Sequence, residues 1–329
     1  MYKEWIPANG NWYKVNMHCH TDISDGNQTP EEVKEFYKSR GYSAVCFTDH
    51  EVLLGHRELC DDEFIALHGY EMAIKQDQGS PTAWFMPVYH FNMIARKQDN
   101  LTIPRFYRNN SSFPGHSADY AQAQSADGTI ETYYYNVNWI NWHLKQIKEG
   151  GFLINYNHPE WSLQTLNDYI GLEHLHSIEV INGGCRTLND NTALHYQNLL
   201  RAGKRLVPTA GDDNHYQEDC GHAWTMLKAP ALTYDALIAA YEQGHCYVSE
   251  GPEIFSLISD GGKIQLQTSP AATVTLFSEG RYVQQFQNCS SAEFDYCPEK
   301  FGRFFRIEVR DEQGNKAFTN AYFCEPDWN

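Results

Sequence analysis

Eight residues able to bind a metal stand at, or just past, the C-terminal end of a predicted strand: His18, His20, His50, Glu71, His90, His158, Asp213 and His215. Core or surface histidines scattered by chance have no reason to line up this way. The first pair sets the pattern. Trp12–Met17 is apolar and β-prone, and in a strand residues two apart share a face, so His18 and His20 point together while Cys19 points away. Asp25 follows in a turn, which makes half of a metal site.

The elements between these residues alternate. Thr29-Pro30-Glu31-Glu32 opens a helix with a capping box, and Gly41 ends it. Tyr42–Phe47 is a short strand running into Thr48-Asp49-His50. Further strands are expected at 63–70, 84–89, 152–156, 177–181 and 205–210, ending at Glu71, His90, Asn157-His158-Pro159, Asn182-Gly183-Gly184 and Gly211–His215. Helices are expected at 137–149, 163–174 and 191–202. Together with the strand that carries His18 and His20, this makes seven strands, a βαβ series whose strand ends would converge on one face in a closed (β/α) barrel.

The segment 94–135 breaks this rhythm. It is polar with interspersed tyrosines, follows the fourth strand, and is expected to form a lid or substrate wall. His116 within it reads as solvated. Past Gly251-Pro252 the chain turns to short alternating runs, with Arg306–Arg310 alternating strictly and a turn at Asp311–Gly314. The expected organisation is therefore an α/β unit at 1–252 and a small antiparallel β-sandwich, immunoglobulin-like, at 253–329. The second unit is expected to serve structure or oligomer formation.

The chain has 25 basic and 42 acidic residues, a net charge of −17, which argues against nucleic acid or an anionic membrane as partner. An anionic substrate would need local positive charge. Nine cysteines, odd in number and without a C-x-x-C pair, read as reduced thiols in a cytoplasmic protein, and neither a signal peptide nor a membrane span is evident.

Taken as a set, His18-x-His20-Thr with Ser24-Asp25-Gly, Thr48-Asp49-His50, Gly69-Tyr-Glu71, His90, Asn157-His158-Pro159 and Gly211-x-Asp213-x-His215 resemble the motifs of the PHP (polymerase and histidinol phosphatase) family. Trp12-Tyr-Lys-x-Asn16, His90-Phe-Asn, Tyr247–Pro252 and the tail from Arg306 to Asn320 resemble the branch containing carbaryl hydrolase, which carries a C-terminal β-sandwich. The resemblance implies a distorted seven-stranded (β/α) barrel holding two or three divalent ions. His18, His20, Glu71 and Asp213 would hold the first, Glu71, His90 and His158 the second, and Asp25, His50 and His215 the third. Six imidazoles and three carboxylates suit Zn²⁺, Mn²⁺ or Fe²⁺ without choosing among them, and three dications against three carboxylates leave the pocket locally positive.

The expected activity is that of a phosphoesterase cleaving a small phosphorylated molecule by attack of a metal-bridging hydroxide. Asp213, Glu71 and His50 are the candidate catalytic residues, with Asp213 first as proton shuttle and His215 beside His50 as second choice. Arg186, Arg57, Asn182 and Trp161 are candidate substrate contacts, and Asp49 and Glu179 candidate partners of the ligand histidines. A carbamate, ester or amide hydrolase using the same site is the close alternative. A metal-binding domain without turnover is the alternative of another class.

Overall fold

A computed structural model describes residues 2–76, 85–107, 115–186 and 192–324. In chain order the strands are β1 (Lys3–Glu4), β2 (Asn11–Cys19), β3 (Ala44–Phe47), β4 (Ile65–Lys75), β5 (Val88–Ala95), β6 (Ile103–Phe106), β7 (Ala126–Thr129), β8 (Phe152–Tyr156) and β9 (Ser177–Asn182). They continue with β10 (Val207–Gly211), β11 (Trp224–Ala229), β12 (Cys246–Ser249), β13 (Ile254–Asp260), β14 (Lys263–Ser278), β15 (Val283–Asp295), β16 (Phe304–Arg310), β17 (Lys316–Thr319) and β18 (Tyr322–Phe323). The helices are α1 (Pro30–Lys38), α2 (Ser117–Ala121), α3 (Val137–Glu149), α4 (Leu166–Tyr169), α5 (Thr192–Arg201), α6 (Tyr234–Glu242) and α7 (Pro298–Phe301).

The fold is mixed α/β, built on one large sheet and continued by a β-rich second domain. One run of that sheet has the order β2-β3-β4-β5-β8-β9-β10. These are the seven strands expected from the sequence, with their ends shifted. Their mutual direction departs from a uniform parallel series. The pairs β2–β3, β3–β4, β8–β9 and β9–β10 are parallel, whereas β5 is antiparallel to both β4 and β8. The fourth strand also begins at Val88, not residue 84, and Trp84 lies outside the described residues.

That reversal matters for His90. It is the third residue of its strand, not one placed just past the end, and an antiparallel strand brings its N-terminal end to the face where its neighbours have their C-terminal ends. Glu71 likewise lies within β4, which runs on to Lys75 to pair with β5.

The far ends of the run approach each other. Cys19 and Asn214 form a parallel bridge, and the Asp213 amide donates to the His18 carbonyl at 2.9 Å. Gly211 makes the approach feasible, since a Cβ there would lie 2.6 Å from the His18 amide nitrogen.

Helix α1 follows its sequence signals. Thr29 and Glu32 form the reciprocal capping box, Pro30 takes the first turn, and Val33 and Tyr37 are buried. Helix α3 spans 137–149 as expected and buries Ile140, Leu144 and Ile147, each contributing roughly 1.5–3 kcal/mol by leaving water. The helix expected at 163–174 shrinks to α4. Leu163 and His174 both have positive φ, at 56° and 66°, which no continuous α-helix accommodates. For the expected 191–202 helix, α5 begins at Thr192, and Asn191 lies outside the described residues.

The sequence pattern gave no warning of α6, or of β11 and β12. These two strands extend the sheet antiparallel from the edge of β2 and pass it to β17. The region after Pro252 is antiparallel as expected, but it is joined to the larger sheet by backbone hydrogen bonds, with its own apolar cluster around Ile254, Leu266, Phe294, Phe305 and Ile307. Among the described residues no helix is long and apolar enough to cross a membrane.

The 94–135 segment packs, in its described parts 94–107 and 115–135, against the main core. Its strands β6 and β7 pair with each other, and Ile103, Phe106, Ala121 and Tyr133 join the main core. It is tied to the end of β3 by Ser117, whose hydroxyl donates to the His50 carbonyl at 2.6 Å, and by Tyr133, whose hydroxyl donates to Glu51 at 3.0 Å. Phe113 lies outside the described residues.

Candidate metal centre

Glu71 is the middle of the site. It is almost fully buried, and five imidazoles surround its carboxylate: His90 at 3.1 Å and His18, His20, His50 and His158 each at 3.3 Å. Each comes from a different strand or the loop just beyond it, except that His18 near the end of β2 and His20 just past it belong to one stretch. The alternation of β2 sends both of these rings to one face, with their Nε2 atoms 3.1 Å apart, while Cys19 packs into the opposite cluster with Val33 and Tyr37.

Four groups of potential ligand atoms gather around this centre, each with its atoms within 4.8 Å of one another; one joins His18 and His158 to Glu179, and the other three contain the sets expected from the sequence. The first is His18, His20, Glu71 and Asp213, with Asp213 Oδ1 at 3.2 Å from His18 and 3.0 Å from His20. The second is Glu71, His90 and His158. The third is His20, Asp25, His50 and His215, where Asp25 Oδ2 lies 3.4 Å from His215 and 3.8 Å from His50. All nine residues singled out in the sequence are thus brought together. His20 is shared more widely than expected, facing the first group with Nε2 and Asp25 with Nδ1.

The donor set fits divalent ions. Several buried imidazole nitrogens converge on a single carboxylate, and among the described residues the Nδ1 atoms of His50 and His90 make no hydrogen bond of good geometry although Glu71 is close. Lone pairs aimed at a common point are what a cation resolves.

Charges in the metal-free protein follow the same logic. Burial pushes the Glu71 carboxyl up, but His90, His18 and His50 outweigh it and hold it well below the ordinary range. Asp213 is held low against burial chiefly by His18 and His20. Burial pushes His20 down, yet hydrogen bonds to Asp213 and Glu71 bring it up to about 10. His50 goes the other way: burial takes it to about 3, so it is a neutral imidazole at pH 7.

The supporting shell was only partly visible in the sequence. Glu179 accepts from His18 Nδ1 at 3.1 Å and from the His158 amide at 3.1 Å. Asp49 accepts from the amide and hydroxyl of Thr21 and from Ser24, fixing the turn that carries Asp25. Asn157 donates to Glu71 at 2.6 Å, and Ser162 meets His158 Nδ1 at 3.1 Å. Sequence reasoning missed Asp212. Fully buried, it accepts from Tyr37 and from the amides of Gly221, His222 and Ala223, which pins the turn next to Asp213. An acidic residue directly beside a ligand was the available signal. The backbone is left-handed at His158 (φ 22°) and Asp213 (φ 49°), strain of the kind that collects at functional sites.

The four candidate substrate contacts separate. Trp161 stands at the pocket, 42% exposed, its ring 5.0 Å from His158 and 5.4 Å from His90. Asn182 is buried and its amide donates to Glu179 at 2.9 Å and to Asp213 Oδ2 at 3.1 Å, so it steadies carboxylates of the site. Arg186 donates to the Gly183 carbonyl at 3.3 Å. Arg57 lies exposed on a 3₁₀ turn after β3, and no described contact ties it to the cluster. His116 is exposed.

A buried cluster of this composition at the strand ends of an α/β sheet defines the class as a metal-dependent one. Residues 16–108 match the model of the PHP domain. Six of the nine residues lie inside that match, and His158, Asp213 and His215 lie beyond it. A search of curated proteins finds no significant match. Among solved structures, the chain is similar to a two-domain Bacteroides vulgatus protein containing a predicted PHP-like metal-dependent phosphoesterase (13% identity, 97% of this chain and 98% of the other, TM-score 0.45). It is also similar to a candidate metal-dependent phosphoesterase from Bifidobacterium adolescentis (18%, 64% and 89%, TM-score 0.37) and to an amidohydrolase from Chromobacterium violaceum with bound sulfate and no metal (14%, 70% and 96%, TM-score 0.39).

Proposed function

We propose that the chain is a metal-dependent hydrolase, a phosphoesterase acting on a small phosphorylated molecule. The observation that carries this reading is the buried Glu71 carboxylate ringed by five imidazoles within 3.3 Å. The reading takes the β2-to-β10 run, with its ends bridged at Cys19 and Asn214, as a distorted seven-stranded barrel, and it places the domain division at 252.

His18, His20, Glu71 and Asp213 would hold one ion, Glu71, His90 and His158 a second, and Asp25, His50 and His215 a third, of Zn²⁺, Mn²⁺ or Fe²⁺. Bound ions supply water activation near neutral pH and neutralise charge developing on the substrate. The protein's own part is orientation and proton handling. Glu179 and Ser162 fix the rings of His18 and His158, while Asn157 and Asn182 fix the carboxylates of Glu71 and Asp213. Asp213 is ionised and lies at the pocket, so it is placed to accept a proton from attacking water and pass it to the leaving group. His50 is neutral and suits ligation better than proton donation. His215 is partly exposed; burial lowers its pKa, but hydrogen bonding to Asp25 raises it above the ordinary histidine value, making it the better second acid.

One observation favours the carbamate, ester or amide reading. Among the described residues no lysine or arginine forms an ion pair with the cluster, and the indole of Trp161 stands against His158 and His90. A neutral substrate needs no such cation. The resemblance to the carbaryl-hydrolase branch points the same way.

Metal analysis followed by a panel of aryl phosphates, phosphodiesters, aryl esters and carbamates separates these readings. The expected result is two or three divalent ions per chain and phosphoesterase turnover abolished in His158→Ala and Asp213→Asn. Turnover confined to carbamates or esters would select the alternative. A chain that stays metal-free after Mn²⁺ or Zn²⁺ loading would sink both.

A further inference from the structure

Helix α5 touches two different parts of the molecule with two different faces. His195 and Asn198, three apart, lie on one face. His195 Nε2 meets Glu160 Oε2 at 3.1 Å, its Nδ1 meets the Tyr169 hydroxyl at 2.9 Å, and Asn198 donates to the same hydroxyl at 3.4 Å. Tyr196, Gln197 and Arg201 lie on the other face, toward the β-rich second domain. Gln197 donates to the Ser278 carbonyl at 3.1 Å and accepts from the buried Arg306 at 2.8 Å. Tyr196 accepts from the Ala321 amide, and Arg201 donates to the Glu279 carbonyl while its own carbonyl accepts from Arg303.

Glu160 belongs to the turn that leaves β8 through the ligand His158. That turn closes on itself through Ser162 amide to His158 carbonyl at 3.1 Å and Leu163 amide to Glu160 carbonyl at 3.1 Å. The residue after Glu160 is Trp161, whose ring stands against His158 and His90. The turn contains two left-handed residues, His158 and Leu163, so its shape depends on being held from outside.

We propose that His195 is a positioning residue for the metal pocket: through Glu160 it fixes the turn that carries Trp161 and His158, and the second domain fixes His195 through Gln197 and Arg306. The role of the β-rich domain is then to hold the substrate wall in place. This rests on the hydrolase reading only for its catalytic consequence; the structural coupling stands separately.

The test uses full-length protein labelled with 5-fluorotryptophan, in which Trp161 is assigned by its loss in Trp161→Phe among the eight tryptophans of the chain. In His195→Ala the Trp161 fluorine resonance should shift or broaden while resonances of distant tryptophans stay in place. His195→Gln keeps a nitrogen at the Nε2 position and should restore it. Gln197→Leu, and Gln197→Leu with Arg306→Met so that no buried charge is stranded, should move the same resonance. With a substrate from the panel, His195→Ala should lower kcat/KM by ten-fold or more at unchanged metal content, with recovery in His195→Gln. An unmoved Trp161 resonance in His195→Ala overturns the positioning role, and an unmoved one in both Gln197 variants overturns the part of the second domain. These spectra decide the matter even if no substrate in the panel turns over, which would count against the hydrolase reading alone.

Discussion

Single residues in this centre are constrained from two sides. His18 and His158 each turn Nε2 toward Glu71 and have Nδ1 held by a partner, Glu179 and Ser162 respectively. Glu179 is the most connected of these partners, touching His18, the His158 backbone and Asn182. Replacing it by glutamine keeps the shape but removes the charge that orients His18, so Glu179→Gln should weaken divalent-ion binding about 10- to 100-fold. Titration against a chelating indicator measures this, and unchanged affinity would remove Glu179 from the site. Only some of this was readable beforehand. His18, His20 and Glu71 announce themselves by type and position, whereas Asp212 and Asn157 gain meaning from partners 65 or more residues away or across a turn, distances that spacing in one chain does not encode.

At the scale of elements, the decisive contact is between the first and last strands of the β2-to-β10 run. Asn16 accepts from the His18 and Asp212 amides, and Gly211 leaves room for the His18 backbone. Gly211→Ala would thrust a methyl to 2.6 Å from a backbone nitrogen that cannot yield easily. We expect a loss of about 1–3 kcal/mol, read by denaturant unfolding, together with weaker metal binding because His18 moves with its strand. Stability within 0.5 kcal/mol of the parent, a surface-like effect, would contradict this close approach. Strand positions were legible because apolar runs end in polar ligands. The direction of β5 was not, since a strand read without its neighbours has no orientation. Helix α4 was overestimated for a related reason: apolar residues at 163–174 suited a helix, but the turn holding His158 took the first of them.

For the whole molecule, the clustered charges link folding, metal and pH. In the metal-free protein His20 titrates at about 10 and not near the unfolded value of about 6.5. Its contribution to stability is therefore fully present below about pH 6.5 and lost as pH rises through about 10. Glu71 and Asp213 have lowered values, so theirs is present above the ordinary carboxylate range and lost as pH falls below it. Metal-free protein should lose stability on going from neutral to alkaline pH, and binding of Zn²⁺ or Mn²⁺ at pH 7 should release protons, since ions replace those held on the imidazoles. Thermal unfolding across pH and a pH indicator in weak buffer measure the two effects. Metal uptake without proton release would mean the histidines were already neutral.

The sequence by itself singled out the nine residues that the fold brings together, the seven strands of the run and the change of character near Pro252. Residue chemistry and hydrophobic period are local properties, and each of these follows from them. Tertiary structure alone decided that β5 runs backward, that His20 serves two groups at once, that Asn182 braces carboxylates, and that the second domain is continuous with the first sheet and grips α5. Those outcomes depend on which surfaces meet. Glu71 illustrates the division: its strand and its chemistry can be read along the chain, but a carboxylate with five imidazoles around it exists only once four separated stretches have been folded against one buried atom pair.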